Sequence, residues 1–326
     1  MTTTSPSPTR ETSTRRRRGL ELVQSYGVIG VLVLVGALTT VFSPGFASFG
    51  NLSAIVTAAC FIGLITIGQS FVMISGGIDL SVGSMVGLGT VVAALAAPYG
   101  WVLALTAPIL VGAVVGVING LLIGKARMAP FIVTLSALLA VKGIALVLAG
   151  SSITIAGGAF TAIGNGSVLG ISNLIWILII AFALGALVLN RTAFGSRVFA
   201  LGGNEDAAKM LGVDVVRLKI AVYTISGALA GLSGALLASR LSSGVATLGA
   251  GYELRSIAAA VIGGVLLTGG VGTMLGALCG ALLISLIGNV INQVGSLNAY
   301  YQDLVTGLFL VLAVVVQGIL TSKRRQ

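Results

Sequence analysis

Ten stretches of mostly apolar residues follow one another along this chain, and most approach the length at which a helix can cross a bilayer, roughly 20 residues. They cover residues 24–43, 52–75, 81–97, 102–124, 130–149, 173–190, 218–238, 254–267, 272–294 and 301–320. The stretch at 254–267 is too short to span comfortably unless its neighbours help. The pattern predicts an all-α fold, that of a polytopic membrane protein with about ten transmembrane helices.

The composition supports lipid as the main solvent of the fold. Of 326 residues, 56% are hydrophobic and 8% are charged, whereas a soluble domain carries about 25% charged residues. The 47 glycines suit close helix–helix approach in a membrane. Cys60 and Cys279 lie inside apolar stretches, which is typical of small core residues. The chain contains no histidine, which excludes imidazole acid–base chemistry and histidine metal sites.

The net charge of +10 is distributed in a pattern typical of membrane proteins and not of nucleic-acid binding. Fifteen of the 18 basic residues lie in four polar segments, which can all be placed on one side of a membrane. These residues are Arg10 and the arginines at 15–18; Lys125 and Arg127; Arg191, Arg197, Lys209, Arg217 and Lys219; and Lys323, Arg324 and Arg325.

This charge pattern also predicts the domain organisation. Residues 1–25 are polar and basic and are expected to be a disordered cytoplasmic N-terminus. Residues 26–321 are expected to form the transmembrane domain, with a cytoplasmic segment at about 191–217, and 322–326 a basic cytoplasmic tail. The first apolar stretch is longer than the core of a typical signal peptide and lacks a small-residue cleavage site, so we expect it to be retained as the first span.

Two glycine-rich segments interrupt the apolar pattern in related ways. Residues 76–87 read GGIDLSVGSMVG, and residues 263–276 read GGVLLTGGVGTMLG. Omitting Gly269 and Gly270 aligns the two segments, which predicts an internal duplication with glycine-interrupted helices. The alternative is chance likeness between glycine-rich helix interfaces. The direction of the repeat, parallel or inverted, depends on the number of spans and stays open.

Asp79 is the one acidic residue flanked on both sides by long apolar stretches. A carboxylate at membrane depth costs about 2.5–3.5 kcal/mol on insertion scales and therefore has a reason to be there. Together with Ser81, Asp79 is suited to cap the helix that follows. The alternative is that it contacts a transported solute or acts as a gate.

Further polar residues within the apolar stretches are candidates for a translocation path. Taken singly, each is more often a helix–helix hydrogen bond than a ligand contact, but together their amides and hydroxyls would suit a neutral, hydroxyl-rich solute. The candidates, besides Asp79 and Ser81, are Gln69, Asn119, Thr134, Asn289 and Asn292.

The polar segment before the seventh span predicts a short helix that needs a partner. Asn204 is a good N-cap, acids follow in the first turn, Ala207, Ala208 and Leu211 form an apolar stripe, and Gly212 ends the helix. The alternative is a helix lying on lipid headgroups. The chain has no G-x-x-x-x-G-K-[ST] motif, so any ATP that drives it is expected to bind another subunit.

Four separated motifs resemble the ribose-type permeases of bacterial ATP-binding-cassette importers. The motifs are SGGIDLSVGS (75–84), PFIVTL (130–135), ALGGNEDAA (200–208) and the stretch from Ala238 through GYEL (251–254) to Gly264. The resemblance runs from about residue 27 to the C-terminus. The chain departs from the family at Val271, where the ribose-type pattern often has Lys.

The resemblance implies a permease in the bacterial plasma membrane, paired with a second permease copy. It also implies a cytoplasmic ATPase that holds ATP and Mg, with no cofactor in this chain, and an external binding protein that delivers a monosaccharide. A segment containing Gly203, Asn204, Glu205, Ala207, Ala208, Leu211 and Gly212 would then be the coupling helix that docks on the ATPase.

Other transport functions remain as alternatives at this point. A proton- or sodium-coupled secondary transporter would need intramembrane acid or histidine relays, and Asp79 stands nearly alone. A passive channel and a branched-chain amino-acid permease are further alternatives. The sequence does not identify the sugar, because specificity is expected to lie mainly in the binding protein.

Overall fold

The computed structural model describes residues 27–43, 45–293 and 299–322. The predicted N-terminal segment 1–25 and residues 323–326 of the predicted tail lie outside these ranges. The helices are α1 (Gly27–Phe42), α2 (Phe49–Ile74), α3 (Val82–Ala96), α4 (Trp101–Gly124), α5 (Pro130–Leu148), α6 (Ala159–Asn165), α7 (Asn173–Arg191), α8 (Ala193–Gly203), α9 (Glu205–Met210), α10 (Val215–Leu241), α11 (Tyr252–Ile262), α12 (Met274–Gln293) and α13 (Ala299–Ser322).

The helices confirm the predicted all-α membrane architecture. Each predicted apolar stretch contains one helix, and α6, α8 and α9 are short additions. Seven helices (α2, α3 with the turn that follows it, α4, α5, α7, α10 and α12) are long and apolar enough to cross a membrane. Shorter apolar segments, Gly27–Phe42 and Tyr300–Leu312, lie in α1 and α13. With 11 residues, α11 is too short to span, as its sequence suggested.

Four short strands form two small antiparallel pairs outside the helices. Strand β1 (Ile153–Thr154) pairs with β4 (Ser243–Gly244), and β2 (Ser167–Val168) pairs with β3 (Ile171–Ser172). We call this end of the bundle the hairpin end. It lies where α5 and α10 finish and α7 begins.

The opposite end carries most of the described basic residues, and we call it the basic end. There α4 and α7 finish, α8 and α9 follow α7, and α10 begins. Contacts between α9 and α10, and between the end of α2 and the segment at 269–270, hold this end together. Its basic residues are Lys125, Arg127, Arg191, Arg197, Lys209, Arg217 and Lys219.

Glycines spaced by four residues bring α4 and α10 into close contact. A Cβ at Gly112 would overlap the carbonyl oxygen of Gly227, and a Cβ at Gly116 would overlap that of Tyr223. Gly120 likewise lies against the backbone of α10. In lipid the association of helices depends on such close packing, since the hydrophobic effect contributes little between them.

The two glycine-rich segments form the same turn at the same end. After α2, Gly76 has φ +86°, and its N–H binds the carbonyl three residues earlier; after α11, Gly264 has φ +87° and makes the same bond. In each turn the next N–H binds the carbonyl five residues before it, so both are helix-ending turns that need a left-handed residue.

The structural equivalence differs by one residue from the sequence alignment, which had matched Gly76 with Gly263. Both α2 and α11 finish at the basic end, so the two segments run in the same direction. The end of α2 also touches the second glycine-rich segment, because the Gly270 N–H donates a 2.8 Å hydrogen bond to the Ile74 carbonyl. These contacts fix the position of the α2–α3 connection, where the predicted acidic site lies.

Candidate functional site

A buried polar cluster surrounds Asp79 in the connection between α2 and α3. The Asp79 side chain is fully buried. Its Oδ1 accepts hydrogen bonds from the Ser81 backbone N–H at 3.0 Å and from the Ser81 hydroxyl at 2.6 Å. Its Oδ2 accepts a hydrogen bond from the Ser226 hydroxyl of α10 at 2.8 Å. Three donors therefore satisfy the carboxylate within the protein.

Two more helices reach the same connection. The Asn119 amide of α4 donates to the Ser81 hydroxyl at 3.0 Å. The Thr134 hydroxyl of α5 and the Tyr223 hydroxyl of α10 each lie 3.3 Å from the Ile78 carbonyl oxygen. The structure thus joins Asp79, Ser81, Asn119 and Thr134, four of the predicted path residues, in one cluster.

The cluster clarifies how Asp79 relates to the helix that follows. Helix α3 begins at Val82, its N-cap is Ser81, and the Ser81 side chain makes no bond to a helix N–H. Asp79 lies two residues before the N-cap and acts on the helix start through the Ser81 N–H. Because the four predicted path residues of this cluster are at most 3% exposed, none of them faces solvent in this conformation.

Gln69 is separate from this cluster and has no hydrogen-bond partner among the described residues. It lies in α2, is fully buried, and both its amide nitrogen and its amide oxygen are unsatisfied by protein groups. A buried amide without partners is rare and costly. Among the predicted path residues, Gln69 is therefore the one whose buried position is least explained by contacts within the protein.

The remaining predicted path residues lie at the hairpin end. The Asn289 amide donates to Oδ1 of Asn51 at 2.9 Å, and Gln293 donates to the same oxygen at 3.0 Å. Oδ1 of Asn292 accepts from Gln302 at 2.9 Å. These bonds tie α12 to α2 and α13. The predicted path residues therefore occupy three different places.

The predicted helix at the basic end is present as α9. Oδ1 of Asn204 accepts a hydrogen bond from the Ala207 N–H at 2.9 Å, so Asn204 is the N-cap. Glu205 and Asp206 occupy the first turn. Gly212 has φ +81°, and its N–H binds the Lys209 carbonyl, which ends the helix.

The predicted apolar stripe of α9 is divided between two faces. Ala208 is 1% exposed and packs into the protein, whereas Leu211 is 81% exposed. Met210, which the sequence analysis did not select, is 82% exposed. The exposed apolar surface of α9 and its C-cap therefore consists of Ala207, Met210 and Leu211, because the helix is anchored through Ala208.

Two lysines hold Glu205 against the bundle. Its Oε1 lies 2.8 Å from Nζ of Lys209, and its Oε2 lies 2.8 Å from Nζ of Lys219 on α10. The hydrogen bond from Lys209, followed by that from Lys219, holds the pKa of the Glu205 carboxyl below its ordinary value. The hydrogen bond with Glu205 also raises the pKa of Lys209. A cavity of about 430 Å³ lies beside Glu205, Lys209 and Lys219, and Arg127 also lines it.

Lys142 and Glu253 are charged residues in apolar helices that were not predicted as functional candidates. Lys142 lies in the predicted span 130–149, and Glu253 lies in the first turn of α11, just before the predicted stretch 254–267. A single lysine within a helix-length apolar stretch was the available signal.

The chain is similar to known transport proteins along most of its length. Residues 51–314 match the family described as "Branched-chain amino acid transport system / permease component". The chain is 37% identical to the L-arabinose ABC transporter permease protein AraH of Azospirillum brasilense, over 99% of this chain and 96% of that protein. It is 36% identical to the ribose import permease protein RbsC of Haemophilus influenzae, over 94% and 96%. It is 39% identical to RbsC of Bacillus subtilis, over 88% and 90%. No solved structure matches it significantly.

Proposed function

Because the chain belongs to the family of transport-system permease components, we propose that it is the membrane-spanning subunit of an ATP-driven importer of a monosaccharide. A pentose is the solute that the relatives favour, since their names specify ribose and arabinose. The similarity to these sugar permeases extends over nearly the whole chain. We therefore favour a sugar as the transported solute over a branched-chain amino acid, which the description of the family names.

The distribution of charge supports an orientation in the membrane. Positive residues are enriched in cytoplasmic segments, so the basic end would face the cytoplasm and the hairpin end the outside. Helix α1 would then run outwards from a cytoplasmic N-terminus, and α13 would return the C-terminus to the cytoplasm. Since the relatives are bacterial proteins, the membrane would be the bacterial plasma membrane.

The observation that carries an ATP-driven mechanism is the exposed apolar surface of α9. Met210 and Leu211 project from the basic end, although α9 itself is anchored by Ala208 and by the Glu205–Lys219 ion pair. A rigid helix with exposed apolar side chains suits docking in a groove of a partner. The partner would be the cytoplasmic ATPase that holds ATP and Mg, which makes α9 the coupling helix.

Movement of α9 would reach the membrane helices through defined contacts. Lys219, which binds Glu205, lies on α10, and the same helix carries Tyr223 and Ser226. These two side chains bind Ile78 and Asp79 in the connection that precedes α3. Displacement of α9 on ATP binding would therefore shift α10 and α3 together and change the side on which the path opens.

Two further partners complete the proposed importer. An external binding protein would deliver the sugar to the hairpin end. A second permease copy would lie beside this one in the lipid. The exposed apolar residues of α4, α5 and α7 offer surface for lipid and for such a copy.

Reconstitution tests the proposal directly. The chain is placed in liposomes with its ATPase and binding protein, and uptake of labelled D-ribose, L-arabinose and L-leucine is measured. We expect uptake of one of the pentoses that requires both added proteins and hydrolysable ATP. A nonhydrolysable ATP analogue serves as the matched control. Uptake driven by a proton or sodium gradient without the ATPase would instead establish a secondary transporter, and uptake of leucine alone an amino-acid importer.

A further inference from the structure

Lys142 places a positive charge in the middle of a membrane helix. At about 1.5 Å per residue, it lies about 18 Å from the start of α5 at Pro130 and about 9 Å from its end at Leu148. The residue is exposed, and no hydrogen bond or ion pair is formed by its ammonium group within the described part of the chain.

Lipid is an unsuitable environment for this ammonium group. A lysine at membrane depth usually faces a water-filled cavity or the interior of a bundle. Lysines near helix ends escape by extending to the membrane surface, but side chains on a helix tilt towards its N-terminus. The Lys142 side chain therefore tilts away from the nearer end of α5, and this route does not relieve its burial in lipid.

Glu253 supplies an opposite charge on which the charge of Lys142 acts. It lies in the first turn of α11, is half-buried, and its Oε1 accepts a hydrogen bond from the Gly251 N–H at 3.3 Å. A Cβ at Gly83 would overlap the Glu253 carboxylate, which therefore rests on the first turn of α3. Lys142 lies near enough for its charge to act on Glu253. Both α5 and α11 pack against α3, and they make few or no contacts with each other.

We propose that Lys142 and Glu253 contact the transported solute, in a water-filled path along the groove between α5 and α11. The identity of the solute rests on the proposed function. An ammonium group is a triple donor and a carboxylate accepts at both oxygens, so the pair can bind neighbouring hydroxyls of one sugar. The zero net charge of the pair suits an uncharged polyol, and hydrogen bonds to charged groups are stronger than hydrogen bonds between neutral groups.

Accessibility to water tests the path without reference to the solute. Lys142→Cys, in the complete importer in vesicles, is treated with a membrane-impermeant cationic methanethiosulfonate reagent. Background labelling of this chain should be low because its two native cysteines, Cys60 and Cys279, are buried. The matched control is Ile144→Cys, which is 50% exposed at nearly the same depth but about 200° further round the helix. Ser167→Cys, exposed at the hairpin end, is the positive control.

We expect labelling of Lys142→Cys and Ser167→Cys but not of Ile144→Cys. Labelling of Ser167→Cys alone would overturn the path, because Lys142 would then lie in lipid or against a partner's dry surface. With the binding protein present in every sample, addition of excess D-ribose or L-arabinose should slow the labelling of Lys142→Cys more than that of Ser167→Cys.

Discrimination between sugars tests the contact itself. Uptake of D-ribose and 2-deoxy-D-ribose is compared in wild type, Lys142→Arg, Lys142→Met and Glu253→Gln. The same binding protein is used throughout, so that its own preference between the two sugars affects every variant equally. We expect Lys142→Met to lower ribose uptake at least about tenfold, the size of one hydrogen bond to a charged group. Lys142→Arg should retain most uptake. The ratio of the two sugars should fall in Lys142→Met or Glu253→Gln, an effect that a purely structural role would not produce.

The two proposals fail in different ways. If wild type imports a pentose and Lys142→Met imports it at the same rate with the same discrimination, the contact is wrong and the proposed function stands. If wild type imports no pentose but Lys142→Cys is labelled from water, the path stands and the proposed function is wrong.

Discussion

The Ser226 hydroxyl donates a 2.8 Å hydrogen bond to Oδ2 of Asp79 and so joins α10 to the α2–α3 connection through residues 147 positions apart in the chain. Both side chains are fully buried. The other carboxylate oxygen binds the Ser81 N–H and hydroxyl, so Asp79 connects α10 to the start of α3. In the described conformation this acid stabilises a helix junction instead of facing a solute.

This arrangement predicts that the hydrogen bonds of Asp79 matter more than its charge. Asp79→Asn should retain most uptake and thermal stability, because its oxygen still accepts from Ser81 and its amide can donate to the Ser226 hydroxyl. Asp79→Ala leaves several buried donors unpaired and should lower the free energy of unfolding by more than about 2 kcal/mol. Ser226→Ala removes one donor and should cost about 1 kcal/mol. Thermal unfolding in detergent and reconstituted uptake measure both effects; a stable but inactive Asp79→Asn would contradict the prediction.

The glycine contact between α4 and α10 should be sensitive to a single methyl group. In Gly116→Ala the added Cβ meets the Tyr223 carbonyl oxygen, so the helices must separate, at a cost of about 1–3 kcal/mol. Gly36→Ala is the matched control, because nothing lies within 4 Å of its Cβ position. Thermal unfolding should distinguish the two variants. Equal stability would mean that close packing at Gly116 contributes little.

Most of the fold could be predicted from the sequence because hydrophobic length determines where a chain can cross a membrane. Each predicted stretch contains a helix, and the caps of α9 at Asn204 and Gly212 lie where local chemistry indicated. The side-chain environments were harder to predict. Ala208 and Leu211 look alike in a helical pattern, but Ala208 packs inwards because the Glu205–Lys219 ion pair fixes how α9 is oriented.

The candidate path residues were predicted less well, since a polar residue within a span does not reveal its partners. Asp79 and Asn119 are brought together only by the packing of α3 against α4 and α10. Asn289 has the same chemistry, but it lies at the other end of the bundle because of its position along α12. Lys142 was missed because the charge count was applied to the segments between spans and not to the spans themselves.

Gln69 should be dispensable for stability whatever its role in transport. Its buried amide makes no hydrogen bond to the described protein groups, so Gln69→Leu removes a desolvation cost and should leave the thermal unfolding temperature unchanged or higher. If the amide finds partners in another conformation of the transport cycle, the same variant should lose uptake. A stable variant with normal uptake would exclude Gln69 from the path, and a destabilised one would indicate a bound water.

Docking of α9 should depend on its exposed residues and not on the buried one. Met210→Ser with Leu211→Ser should leave thermal stability unchanged but reduce co-purification of the ATPase and ATP-dependent uptake by more than about tenfold, the scale of an interface hot spot. Ala208→Glu is a poor test of docking, because a carboxylate at a position 1% exposed should disrupt α9 itself. Normal ATPase binding by the double variant would show that the partner docks elsewhere.

The stability of the folded α9 helix should depend on pH, because Glu205 is titratable. Its pKa is lower in the folded protein than in the unfolded chain, chiefly through the hydrogen bond from Lys209 and then that from Lys219. The stabilisation is therefore fully present above the ordinary carboxyl pKa and is lost as the pH falls through the folded value. Hydrogen exchange of the α9 amides, corrected for the intrinsic effect of pH, should show protection decreasing below about pH 4. Glu205→Gln should weaken protection at neutral pH and remove most of this dependence, whereas Asp206→Asn, at a side chain 92% exposed, should preserve it. A wild-type profile that is flat from pH 7 to pH 3 would mean that the ion pairs of Glu205 do not hold α9 in place.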